Sequence, residues 1–188
     1  MFTPVRTVAP AATPVSLAEA KAHLRVDHGD EDALITSLIA AATDHLDGWS
    51  GVLGRALVTQ TWRQDFPSWA DALRLPLAPV QSAVVAYDDE NGDEQTLSSG
   101  WSLLTDARGS YIARNAGVEW PRLGNAPASV RVTFVAGYGA AAAVPAPIKS
   151  AILLIVGGLY QNREDKVRGV AENQAVSALL TPYRRVSF

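Results

Sequence analysis

The chain changes its hydrophobic period twice. Leu34, Ile35, Leu38, Ile39, Ala42, Leu46 and Trp49 fall on one face at helical spacing, which predicts an amphipathic helix opening near Glu31. Glu31 and Asp32 would occupy its first turn, where carboxylates favour the positive end of the helix dipole. Gly48 and Gly51 are its expected stops. Upstream, Ser16-Leu17-Ala18-Glu19 has the form of a capping box. The Ser16 hydroxyl can accept from the amide of Glu19, and the Glu19 carboxylate from the amide of Ser16. The helix so opened should run to Val26, with Asp27-His28-Gly29-Asp30 as the following turn. Residues 1–15, interrupted by Pro4, Pro10 and Pro14, read as an extended arm.

The middle of the chain has a different pattern. Between Leu57 and Phe66 apolar and polar residues partly alternate and Thr, Val and Trp are frequent, which predicts a strand. Val80 to Tyr87, Trp101 to Leu104, Tyr111-Ile112 and Val130 to Val135 are further expected strands, and Asn91-Gly92 marks a turn after the first of these. Gly137-Tyr138-Gly139 and the run Ala140 to Ala143 read as a hinge into a third helix. That helix is expected from Ile148 to Arg163, with Ile148, Ile152, Ile155, Val156, Leu159 and Tyr160 on one face. Beyond Gly169, Val176, Leu179, Leu180 and Tyr183 sit at i, i+3, i+4 and i+7.

These periods predict one α+β domain: a helical bundle with an inserted small antiparallel β subdomain. The arm is 1–15, the bundle 16–55 and 147–168, the β insertion 56–137, and a C-terminal interaction segment 169–188. The apolar helix faces need one another, because a lone amphipathic helix of this length is marginal in water. The 188 residues are 48% hydrophobic and 19% charged, enough for a real core without staples. There is no cysteine, so disulfides and thiolate metal sites are excluded. A formal charge of −3 supplies no electrostatic drive toward nucleic acid. Residues 1–14 lack the apolar run of a signal peptide, and Ala151 to Tyr160 is too short to span a bilayer, so no membrane role is expected.

A search for chemistry finds little. No Gly-rich phosphate loop and no nucleophile elbow is present. The three histidines, His23, His28 and His45, lack the spacing of a metal pair. Asp27, Asp30, Glu31 and Asp32 fit a helix start better than a calcium loop. Asp88, Asp89, Glu90, Asp93 and Glu94 surround an exposed turn, which offers no burial to raise a carboxyl pKa. The five tryptophans lack interleaved basic residues and are read as packing groups. No catalytic residue, no metal and no cofactor is therefore expected.

Several segments, taken in order, resemble a known family. Pro14-Val15-Ser16-Leu17-Ala18-Glu19-Ala20-Lys21, His23 to Val26, Asp30-Glu31-Asp32 and Ile35 to Ala42 are similar to the opening of phage head–tail connector proteins. Gln60-Thr61-Trp62, Leu75-Pro76, Pro79-Val80, Trp120-Pro121, Ala136 to Gly139, Leu159 to Glu164 and Leu180 to Arg184 continue the likeness. The resemblance implies a structural adaptor without catalytic residues. Such proteins form a ring, usually twelvefold, beneath the capsid portal. They join the portal to a downstream stopper or tail protein, and DNA passes through without sequence-specific binding. The alanine-rich, arginine-biased composition suits a gene transfer agent. From the terminal motif, Val176, Leu179, Leu180, Tyr183, Arg184 and Arg185 are the expected partner-binding residues, in a segment loose in the free subunit. Competing readings are another virion part, such as a stopper or tail terminator, and a small hydrolase, which would need a convergent polar pocket.

Overall fold

The computed structural model describes residues 2–162 and 174–185. These form two compact units, one from residues 11–58 and 138–185, the other from residues 1–10 and 59–137. The expected helix end at Arg163 and the separator Gly169 lie outside the described residues.

In the first unit, helix α1 (Leu17–Leu24) opens with both hydrogen bonds of the capping box. The Glu19 amide donates to Ser16 Oγ at 3.2 Å and the Ser16 amide donates to Glu19 Oε2 at 2.8 Å. The helix stops two residues short of Val26 because Arg25 turns left-handed, at φ 59°. That turn lets the Val26 amide reach the Lys21 carbonyl at 3.0 Å and satisfy one of the helix's last acceptors. Helix α2 (Asp32–Leu46) buries Ile35, Ile39, Ala42 and Leu46, the face its sequence predicts. Helix α3 (Ala146–Gln161) opens at Pro145 and Pro147 and buries Ile148, Ala151, Ile152, Ile155 and Val156. Helix α4 (Gln174–Leu180) adds Val176 and Leu180 to the same apolar cluster. Polar contacts fix the helices at their rims. Lys149 Nζ donates to Glu19 Oε1 at 2.6 Å, joining α3 to the cap of α1. Lys21 Nζ donates to the His28 carbonyl and to Asp32 Oδ1, both at 2.6 Å, so the acidic turn 27–32 is organised by a lysine.

The second unit is built from strands β1 (Val5–Val8), β2 (Gln60–Phe66), β3 (Ala72–Arg74), β4 (Val80–Asp88), β5 (Glu94–Leu97), β6 (Trp101–Asp106), β7 (Gly109–Arg114) and β8 (Val130–Ala136). They make a five-stranded sheet in the order β1-β2-β8-β4-β5 and a three-stranded sheet in the order β3-β7-β6. Every neighbouring pair is antiparallel. β2 and β8 bury alternate residues along their full lengths. Trp62 lies opposite Phe134 in their register, a bulky apolar pair at the centre of the sheet.

The fold class is the mixed α+β of the sequence reading, but it is richer in strands than a helical bundle with a small insert. Three strands escaped the periodicity. Within residues 1–15, expected as an extended arm, β1 pairs with β2, Val5 opposite Arg63. All four β1 residues are exposed, so no buried face marks them in the sequence. β3 has three residues and β5 four, too short for an alternation to show.

Candidate interaction surfaces

The segment after α2 shows how a surface is shaped by one backbone approach. The helix ends at Leu46 and Asp47 caps it, so Trp49 does not extend the helical face as its spacing suggested. The chain folds back so tightly at Gly51 that a Cβ there would lie 2.4 Å from the Asp47 carbonyl oxygen. The Gly48 amide donates to Arg55 O at 2.7 Å and the Val52 amide to His45 O at 3.0 Å. The buried Asp47 carboxylate accepts from the Leu57 amide at 2.7 Å. Leu53, Ala56 and Leu57 point inward and are buried, while Trp49 and Val52 are left 47% and 44% exposed. These contacts hold the loop closely and leave its two apolar side chains at the surface.

The C-terminal residues are tied to that loop. Arg55 Nε donates to Tyr183 O at 2.6 Å, and the Arg185 amide donates to Leu53 O at 3.1 Å. Tyr138 lies beside Arg55; burial pushes its hydroxyl above the usual tyrosine range, and the arginine opposes that shift. Of the residues expected to bind a partner, Val176 and Leu180 are buried within the helical cluster. Leu179 and Tyr183 pack partly buried against it. Arg184 is exposed and Arg185 half-buried. Over residues 174–185 the packed surface of its own unit takes up the inner half of the stripe's apolar face. The reason lies in contacts distant in sequence, which the local entropy of a single helix does not include. Trp49 and Val52 were not singled out as surface groups, although Gly48, directly before Trp49, was a legible stop.

The β unit carries three further clusters. Trp69 stacks on Trp120 with centroids 4.4 Å apart and planes 7° from parallel, and Tyr87 tilts against Trp69 at 5.7 Å. Trp69 Nε1 donates to Pro121 O at 2.8 Å, Trp101 Nε1 to Leu97 O at 2.8 Å, and Trp62 Nε1 to Gln60 Oε1 at 3.1 Å. These indoles act as packing groups with their polar ends satisfied, as buried tryptophans usually are. The acidic turn is equally self-contained. Asp89 Oδ1 accepts from the amides of Asn91 and Asp93 at 2.9 and 3.1 Å. Asp88 pairs with Arg131, at 2.9 Å through Nη1, and Arg131 Nη2 reaches Glu94 at 2.8 Å. Hydrogen bonding to Arg131 holds the Asp88 carboxyl below its ordinary range, the opposite of what a general acid needs. Arg74 makes a two-point contact with Asp106 at 3.0 and 2.7 Å, and this lowers the Asp106 pKa to about 2. Among the described residues no group of three or more His, Asp or Glu side chains is placed to hold a metal ion.

Comparison with known proteins gives this geometry a context. Residues 14–85 match the family model described as phage gp6-like head–tail connector protein. The search of curated proteins finds no match. Among solved structures, a chain of the virion of a native gene transfer agent particle aligns with TM-score 0.81 at 26% identity, over 100% of this chain and 97% of that one. A chain from the neck of an empty gene transfer agent particle, in sixfold symmetry, gives TM-score 0.81 at 27% identity with the same coverage. A chain from the neck of the native particle, in twelvefold symmetry, gives 0.78 at 26% identity, again over 100% and 97%. In sequence over residues 14–85 this chain is similar to phage gp6-like head–tail connector proteins, and in fold over its whole length to chains from the virion and neck of gene transfer agent particles.

Proposed function

We propose that this protein is a structural adaptor in the neck of a phage-like particle, of the gene transfer agent kind. It forms a ring beneath the capsid portal, joins the portal to the stopper or tail protein below, and lets DNA pass through the centre. Its work is assembly rather than catalysis. The observation that carries the reading is the full-length match, above 25% identity, to chains of gene transfer agent necks. Twelvefold symmetry in one of those necks supports a ring of the same order here. The ion pairs of the β unit agree with a structural role, since the carboxylates of Asp88, Asp89 and Asp106 are already committed to a guanidinium or an amide.

The portal-facing surface on this reading is the C-terminal segment with the loop that anchors it. Val176 and Leu180 hold the segment down, and Leu179, Tyr183, Arg184 and Arg185 form its outward part, next to the loop bearing Trp49 and Val52. Tryptophan, tyrosine and arginine are the residues most often found to dominate interface energies. The test is reconstitution with the cognate portal, read by sizing and electron microscopy. The wild-type chain is expected to give a portal-bound ring. Trp49→Ala is expected to weaken capture at least tenfold while leaving the fold intact. A wild-type chain that stays monomeric with portal present, or a Trp49→Ala variant that binds unchanged, would count against the ring or this face respectively.

A further inference from the structure

Among the described residues the five-stranded sheet has an unpaired edge along β1 and another along the first half of β4, and these two strands run in opposite directions. We propose that neighbouring copies in the ring join by β-strand addition: β1 of one copy pairs antiparallel with the free first half of β4 in the next. The inference rests on the ring reading above and names the contact that closes it.

The topology carries the argument. β4 runs from Val80 to Asp88, but β5 pairs only with Val85 to Asp88. Val80 to Val84 therefore have β8 on one side and, among the described residues, no strand on the other. At the far end of the sheet, β1 has β2 on one side and no described strand on the other. All adjacent strands alternate in direction, so β1 and β4, three places apart in the order β1-β2-β8-β4, run oppositely. A strand continuing the alternation beyond the free part of β4 must run in the direction of β1. Copies related by rotation about an axis near the strand direction keep that direction. Their sheets would then continue as β1-β2-β8-β4 followed by the β1 of the next copy, antiparallel throughout. Such a contact uses two different surfaces, so it gives a ring when the rotation closes and never a two-fold dimer.

Length and chemistry agree. The free edge of β4 is the segment Val80 to Val84, and β1 is four residues long, bracketed by Pro4 and Pro10, which confine pairing to that stretch. The β4 segment, Val-Gln-Ser-Ala-Val, holds no charge. Val84 is 55% exposed, and on the other edge Val5 and Val8 are 49% and 56% exposed. Soluble proteins usually blunt such edges with charges or cover them, because unpaired backbone and apolar side chains invite another strand. Main-chain hydrogen bonds would supply the affinity, and the valines the fit.

The absence of cysteine makes the test clean. The double variant Val8→Cys/Val84→Cys is assembled and treated with a short bis-maleimide. Both positions are exposed, so folding should be preserved. The expected result is a ladder of covalent multimers well beyond the dimer, with each single variant giving none beyond a dimer. A second variant, Val8→Asp/Val84→Asp, sets carboxylates on both edges. It should raise the concentration needed for ring formation at least tenfold with an unchanged melting temperature. A ring that forms without the ladder, or that tolerates the paired aspartates, overturns the edge contact alone. A wild-type chain that never forms a ring overturns the assembly reading, and the edge contact with it.

Discussion

The helical unit and the β unit handle their apolar surface in opposite ways. The helices turn their apolar stripes inward on a single cluster, and α4 is drawn into it. The β unit buries alternate residues of β2 and β8 but leaves Val5, Val8 and Val84 exposed on strand edges that no other described strand covers. A helix satisfies its own backbone, so once its stripe is covered nothing asks for a partner. An open sheet has edges whose backbone groups are left to water, and they remain available to another strand until one arrives. On the adaptor reading proposed above, this difference would allot tasks: the helical unit would present the loop of Trp49 and Val52, and the β unit the edges proposed to join copies.

The largest effects should come from the interiors of both units. Ile152→Ala opens a cavity in the helical cluster and is expected to cost about 2–5 kcal/mol, and Phe134→Ala in the central β pair about 3–5 kcal/mol. Hydrogen exchange should show the first loss as deprotection of α2 and α3, and the second as deprotection of β2, β4 and β8. By contrast Val8→Lys and Val84→Lys should change stability by no more than about 0.5 kcal/mol, because their side chains are already half in water. A large loss of stability from either valine variant would mean that the edges are closed within the single chain, and the contrast would fail.

The next effect tests how firmly the loop bearing Trp49 and Val52 is held. Gly51→Ala drives a methyl group into the Asp47 carbonyl, and the loop must give way. We expect a loss of about 1–3 kcal/mol, of the size seen when a tightly packed site is overfilled. Asp47→Ala leaves the Leu57 amide without its acceptor and should cost a similar amount, about 1–3 kcal/mol. Urea denaturation checks both. If either variant is neutral, the loop has other conformations, and Trp49 and Val52 are not presented in a fixed way.

The same contrast explains how much of the molecule could be read from sequence. Ser16 and Glu19 are three residues apart, so the cap of α1 follows from local chemistry alone. The buried faces of α2 and α3, and the alternation of β8, are likewise written in a few turns of helix or one strand. What escaped depends on partners far along the chain. β1 is recognisable as a strand only through Arg63, Trp62 and Thr61. The packing of α4 rests on α3 and on an Arg55–Tyr183 hydrogen bond spanning 128 positions. The terminal motif marks Val176, Leu179, Leu180, Tyr183, Arg184 and Arg185 as one stripe, and only the packing of α4 on its own unit shows that Val176 and Leu180 turn inward. The placement of Trp49 was missed because helical spacing outran the glycine that ends the helix.

The smallest effect concerns Glu19, where the helical unit shows a polar counterpart of its inward packing. Its carboxylate accepts from Lys149 and from the amide and hydroxyl of Ser16, and these hydrogen bonds, Lys149 first, lower its pKa from 4.5 to about 2. A carboxylate whose folded pKa is depressed adds stability that is fully present above its unfolded pKa. That stability is lost as pH falls toward the folded value, here between 4.5 and about 2. The side chain is 44% exposed, so solvent screens the pair and the gain should stay below about 1 kcal/mol. Glu19→Gln keeps the size of the side chain but carries no charge for Lys149. The melting temperature of the wild type should therefore fall toward that of Glu19→Gln as pH drops through this window, and the two should converge near pH 2. Above pH 5 the wild type should remain slightly the more stable. Parallel curves over the whole range would show that the Ser16–Glu19–Lys149 contacts confer no net stability. The joining of α3 to the cap of α1 would then rest on apolar packing alone.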